Sequence, residues 1–238
     1  MRFLRLALLT ALAGLINILP LTAQATTTQQ PFSAVYTVSS KGLDVATMTR
    51  ELTLTEDGNY VFTSTLDATG IAAVIKRVHL QERSEGVLRD HHFQPAHYEI
   101  TRSSGKKHHQ SKVEFDWQRK LAVGTTDAKT WETPLTAGVL DKLVYQLALM
   151  EDLRRQRKDL IYRVVDDGKL QRYGLTVLGK ENLALGDTPI ATIKVEYRRK
   201  DTRLTTLWCA PQFDFLPVQI EYREKNGTTT LARLQLAP

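Results

Sequence analysis

Ile193-Lys194-Val195-Glu196-Tyr197-Arg198 alternates apolar and charged side chains at every step. An extended strand points successive side chains to opposite faces, so this hexapeptide has one greasy face and one charged face. Val113, Phe115 and Trp117 alternate in the same way with Lys112, Glu114 and Asp116, and Val218, Ile220 and Tyr222 with Gln219, Glu221 and Arg223. Strands built like this bury one face on a core and leave the other in water, as antiparallel sheets do.

Working outward, turn chemistry separates such strands where the pattern requires it. Asp57-Gly58 divides Leu52/Leu54 from Tyr60/Phe62, Asp167-Gly168 divides Leu160/Tyr162/Val164 from Tyr173/Leu175/Val177, and Asn226-Gly227 divides the Val218 strand from Ala232/Leu234/Leu236. These dipeptides suit the positive φ angles of tight hairpins. Further strands are expected at Phe32–Ser39, Val78–Val87, Ala96–Arg102 and Arg203–Cys209, which brings the total to about ten or more by this pattern.

One segment changes period. Between Thr136 and Arg157, the residues Leu140, Leu143, Val144 and Leu147 fall at i, i+3, i+4 and i+7, the spacing that lines one side of a helix. Arg154, Arg155 and Arg157 sit near its end, where positive charge opposes the helix dipole. Thr136 is the candidate N-cap, although Val139 stands where a capping box needs an acid. The expected fold is therefore mainly β: a single strongly curved antiparallel sheet, an open or spiral β-barrel, wrapped around one amphipathic α-helix.

The first twenty-five residues carry a different message. Arg2 and Arg5 precede an apolar run from Leu6 to Leu21, which ends in Ala23-Gln24-Ala25. That order reads as a secretory signal peptide over residues 1–25, cleaved after Ala25, with residues 26–238 forming one β-rich periplasmic domain and no transmembrane segment left after cleavage. Cys209 is the only cysteine, so neither a lipoprotein anchor nor an internal disulfide is expected, and the core must hold the fold. The formal charge of +6 falls to +4 once Arg2 and Arg5 leave, a modest surplus. It fits lipid head groups, anionic glycans or acidic proteins, or simply solvated strand faces; a secreted chain without a binding motif gives no reason to expect nucleic acid.

The chain also resembles the bacterial periplasmic domain-of-unknown-function family numbered 3108. The likeness rests on His92-Phe93-Gln94-Pro95 running into Tyr98, on Asp141-Lys142-Leu143-Val144-Tyr145-Gln146-Leu147, and on Leu207-Trp208 followed by Phe215-Leu216-Pro217-Val218. It covers roughly Phe32 to Leu236. The resemblance implies an open or spiral β-barrel embracing a helix, similar in outline to envelope proteins that handle lipids or lipoproteins. It implies no catalytic residues.

Candidate binding features are few. Ser103-Ser104-Gly105-Lys106-Lys107-His108-His109 reads as a basic hairpin tip: either an anion-contacting loop built on Lys106, Lys107 and His108, or a solvated turn. Gly70-Ile71-Ala72-Ala73-Val74-Ile75 followed by Lys76-Arg77 is either a short helical turn capping the barrel mouth or a membrane-touching lip, with Ile71 and Ile75 in the apolar layer and Lys76 and Arg77 at the head groups. Trp117 and Trp208 fit a core, whereas Trp131, among Thr130, Glu132 and Thr133, is the pocket candidate.

No metal site is expected, because the strand near Tyr98 should separate His91/His92 from His108/His109, and no cofactor fingerprint is present. Cys209 reads as an inert buried thiol. The expected function is a non-catalytic binding module for an amphiphilic or lipid-like ligand, an envelope glycan or an envelope partner protein. The alternative is a hydrolase or lyase acting on envelope glycan or peptide through carboxylates such as Asp116, Glu132, Asp166 and Asp167. An enzyme calls for acids with raised pKa converging in a polar cleft, and a carrier for a cavity walled by apolar side chains.

Overall fold

The computed structural model describes residues 29–75, 78–199 and 202–236, leaving aside the side chains of Ile71, Ala72 and Ile75. The leader expected over residues 1–25 lies outside the described residues. Among those described, fifteen strands form one sheet.

Eight strands come first: β1 (Phe32–Ser40), β2 (Leu43–Leu54), β3 (Asn59–Ala68), β4 (Val78–Arg89), β5 (His92–Ser104), β6 (Lys107–Asp116), β7 (Leu121–Thr126) and β8 (Lys129–Pro134), with a short helix α1 (Gly70–Ile75) between β3 and β4. Then follow β9 (Val139–Leu140), helix α2 (Tyr145–Arg154), β10 (Leu160–Asp166), β11 (Lys169–Leu185), β12 (Thr188–Arg198), β13 (Leu204–Ala210), β14 (Leu216–Arg223) and β15 (Thr229–Leu234). The order across the sheet runs from β8 down to β1, then β15 down to β9. Every pairing is antiparallel except β9 with β10. All three Asp-Gly or Asn-Gly hairpins and the four further strands are present.

Alternating strand direction divides the turns between two rims. The front rim carries the turns after β1, β3, β5, β7, β10, β12 and β14, and the rear rim those after β2, β4, β6, β11 and β13. The edge strands β8 and β9 do not pair with each other; side chains draw the two ends of the sheet together instead. Thr133 Oγ1 on β8 donates to the Gly168 carbonyl in the β10–β11 turn at 2.9 Å. The Trp131 ring lies over the same glycine, whose φ is +76° and where a Cβ would stand 2.7 Å from the ring. The sheet is thus an open barrel closed by packing.

The interior is filled by the chain itself. Leaving β8 at the rear rim, the chain turns at Thr136, whose carbonyl accepts the Val139 N–H at 3.3 Å, and threads β9 forward inside the curl before α2 returns to the rear. Leu140, Leu143, Val144, Leu147, Leu149, Met150 and Leu153 are all buried there. The apolar stripe read as one helix from Thr136 to Arg157 is therefore correct in its burial and too long in its helix. Val139 and Leu140 pair with β10, and Asp141 breaks the path by accepting the N–H groups of Leu143 and Val144 on Oδ1, both at 2.8 Å. Residue Val144, not Thr136, precedes the first helical turn, and it offers no side-chain cap. The helix stops where Gln156 enters the left-handed region at φ +55°, with Arg157 N–H bonded to the Asp152 carbonyl and Gln156 N–H to that of Leu153.

Trp208 is buried as expected, but local register puts it and Val218 in a second cluster. Leu207 and Cys209 face the main core, so Trp208 between them faces the other side, in a small outer cluster with Leu185, Ile190, Ala210 and Val218. Register across β13 and β14 jumps from Trp208↔Gln219 to Cys209↔Pro217, and this bulge turns Val218 outward although Ile220 packs on the main core.

A buried carboxyl joins the sheet to the threaded segment. Asp141 Oδ2 accepts the Ser84 hydroxyl of β4 at 2.5 Å, and Ser84 shares a second hydrogen bond with Tyr60 of β3 at 3.1 Å. Burial pushes the Asp141 carboxyl up to about 6, against the lowering effect of these hydrogen bonds. The sign is then fixed: between the ordinary value of 3.8 and about 6 the folded state holds the extra proton, so this group's contribution to stability declines as pH rises through that window.

Two outcomes test this packing. Leu147→Ala, which empties space at the centre of the fold, should cost about 2–5 kcal/mol in urea unfolding, and a cost near zero would place the helix outside the core. Asp141→Asn should gain on the natural protein by up to about 3 kcal/mol between pH 4 and pH 7, and parallel stability profiles for the two would contradict the buried acid.

Candidate functional site

The polar groups inside the sheet come first, because raised acids are what catalysis needs. Beside the Asp141 turn, Glu82 of β4 accepts the Tyr98 hydroxyl at 2.8 Å, and burial raises its pKa against that bond. Lys142 Nζ lies 2.9 Å from Asp166 and 3.9 Å from Asp167. Burial alone would lower its pKa, but the two carboxylates outweigh that and leave it raised. Arg199 approaches Asp166 at 3.7 Å, and Arg50 donates to Gln146 of α2 at 2.7 Å.

Acids with raised pKa therefore do converge. Their bonds, however, are spent on structure: Asp141 is wholly buried and accepts three hydrogen bonds from its own turn and β4. Of the carboxylates singled out from sequence, Asp166 and Asp167 meet at Lys142, whereas Asp116 pairs with Arg119 and Glu132 is exposed on β8. Burial pushes the Cys209 thiol to about 12, so it carries no thiolate at neutral pH.

At the rear rim, the end of α2 is locked by charge. Arg154 binds Glu151, lies 2.6 Å from Asp214, and donates to the Gln29 side-chain oxygen at 3.3 Å. His91 Nδ1 stands 2.7 Å from Glu151 on its other oxygen. Beyond this lock the inner face of β11 and β12 runs past the last helical turn. There Leu153, Leu175, Val177 and Ile193 wall an open cleft of about 490 Å³, edged by Gln156, Arg157 and Lys158. Tyr173 and Leu175 on the same face of β11 are covered, yet Val177, two residues further, is 43% exposed. Sequence reading missed this cleft, since its apolar residues look like ordinary core positions; the Arg157-Lys158 pair was the only local signal.

At the front rim, Lys106 lies in the β5–β6 turn, and Arg102, Ser104, Lys107, His108 and His109 line a cleft of about 380 Å³. His109 turns towards Asp127 at 3.0 Å and Asp167 at 3.8 Å. The His91/His92 and His108/His109 pairs sit at opposite ends of β5. Among the described residues, no group of three or more His, Cys, Asp or Glu is placed to hold a metal.

The apolar connection after β3 is the helix α1, which lies beside β2 and β3 with Val74 exposed. Ile71 and Ile75 lie within it, but their side chains, like residues Lys76 and Arg77 entirely, fall outside the description. Trp131, the pocket candidate, packs at the seam between the two ends of the sheet. Its Nε1 donates to Thr126 Oγ1 at 3.0 Å, and its ring is packed on Gly124 and Gly168, where any Cβ would collide with it. Its polar sequence neighbours gave no hint of Gly168, brought to it from the β10–β11 turn, while Gly124 faces it across the β7–β8 hairpin.

With the architecture and its clefts described, the chain can be set beside known proteins. It is similar in fold to a crystal structure from Brucella abortus described as a β-barrel-like protein of domain of unknown function DUF1849, with a TM-score of 0.56 and 8% identity, over 86% of this chain and 95% of that one. At that identity the likeness concerns the fold alone. No curated protein matches the sequence. Among the described residues, no helix is long and apolar enough to cross a membrane. The family model described as "Protein of unknown function (DUF3108)" matches residues 35–233, and the chain therefore belongs to the DUF3108 family.

Proposed function

We propose that this protein is an exported, non-catalytic envelope component that binds an amphiphile with an acidic head in the rear cleft, working in the periplasm. The observation that carries the reading is the exposure of Val177 on the face of β11 that buries Tyr173 and Leu175, in a cleft it shares with Ile193 of β12 and Leu153 of α2. An apolar trough left uncovered by the protein's own helix suits an acyl chain. Arg157 and Lys158 at its edge suit a carboxylate or phosphate, since Arg157 is only loosely held by Asp152 at 3.7 Å.

The leader pattern of residues 1–25 supports export, and the pairing of Asp141 with its own turn argues against general acid work there. Binding of a fluorescent long-chain fatty acid tests the reading. The chain from Thr26 onward should bind it, and Val177→Asp should weaken binding about tenfold or more by placing a charge in the trough. Equal affinity in the variant, with its melting temperature unchanged, would exclude the cleft.

A further inference from the structure

We infer that the front rim is a docking surface for an anionic lipid bilayer. Two large apolar side chains stand in water at its tips: Val74 in α1 is 87% exposed, and Leu43, at the start of β2 just after the β1–β2 turn, is 70% exposed. They belong to one neighbourhood, because α1 packs beside β2 and the Thr69 N–H donates to the Val45 carbonyl at 2.9 Å. Turn tips normally carry polar residues, and isolated apolar tips of this kind insert readily among lipid head groups.

Basic side chains lie along the same rim. Arg102, Lys107 and His108 line the front cleft, which contains no carboxylate, and among the described residues neither these three nor Lys106 forms an ion pair. Asp127 and Asp167, on neighbouring turns of the rim, face His109 at 3.0 and 3.8 Å. Lys41 and Lys225 lie in other turns of the same rim. The rim also has acids, since Asp44 follows Leu43 and Glu224 precedes Lys225, but the β5–β6 tip has none. At the rear, by contrast, Arg154 is neutralised by Glu151 and Asp214.

Charge complementarity selects a surface of phosphate head groups, and the apolar tips select a bilayer over an acidic protein or a free anion. Docked in this way, the protein would hold its rear cleft away from that surface.

Vesicle flotation tests the inference on the chain from Thr26 onward, which contains every described element. The protein should float with phosphatidylcholine vesicles containing phosphatidylglycerol and not with phosphatidylcholine alone. Lys106→Glu with Lys107→Glu should lower partitioning about tenfold or more, and Leu43→Ser with Val74→Ser by a similar factor, each with an unchanged melting temperature. Arg119→Glu with Lys120→Glu, the same charge change on the rear rim, should leave partitioning within about twofold. Equal binding to neutral vesicles, equal loss from the rear reversal, or binding of inorganic phosphate without flotation would overturn it. Fatty-acid binding at the rear cleft is read separately, so the two proposals fail independently.

Discussion

A single amphipathic sheet has an apolar face it must not leave wet and two edges it must not leave open. This chain meets both constraints by threading its own middle through the curl, and the bond from Ser84 to Asp141 is where sheet and threaded segment are joined. Asp141 organises the turn that converts β9 into α2 and at the same time ties that turn to β4. The carboxyl is costly to bury, which is why its pKa rises to about 6. Its three hydrogen bonds offset that cost by fixing the one point at which the chain direction reverses inside the core. Closure at the edges is then left to Trp131 and Thr133 on Gly168, a packing contact in place of a strand ladder.

From that arrangement the two rims acquire different characters. The rear rim receives the end of α2, which is held by Arg154 with Glu151 and Asp214, while His91 lies against Glu151. What remains open there is an apolar trough edged by Arg157 and Lys158, because the sheet's inner face outlasts the helix. The front rim receives only turns and α1, so its lysines have no interior carboxylate to meet. Lys142 alone reaches inward, to Asp166 and Asp167. Polarity along the barrel axis thus follows from where one helix begins and ends.

Much of this was legible because strands and tight turns are local facts. The alternation at Ile193–Arg198, the Asp-Gly and Asn-Gly turns, and the stripe from Leu140 to Leu147 all report on neighbours a few residues apart. The stripe could not reveal that Val139 and Leu140 are extended, since burial on all sides satisfies a strand and a helix alike. Ser84 and Asp141 are 57 residues apart, and nothing in either neighbourhood announces the other. Val218 was assigned its face by simple alternation, which a bulge reverses without changing composition, and Trp208 was read as core from its aromatic bulk, which does not say on which side of the sheet it is buried. The front cleft was readable from Lys106, Lys107 and His108, whereas the rear cleft was not, because an apolar residue at the end of a buried face looks the same in sequence whether or not something covers it.

Native-state hydrogen exchange measures the central claim most directly. If α2 and its leading turn are the core about which the sheet curls, the amides of Leu143, Val144 and Leu147 should exchange only through global unfolding, with the same free energy as the central pair β1 and β15. Exchange of those amides at markedly lower free energy, while β1 and β15 stay protected, would show a sheet that stands without its helix and would contradict the account.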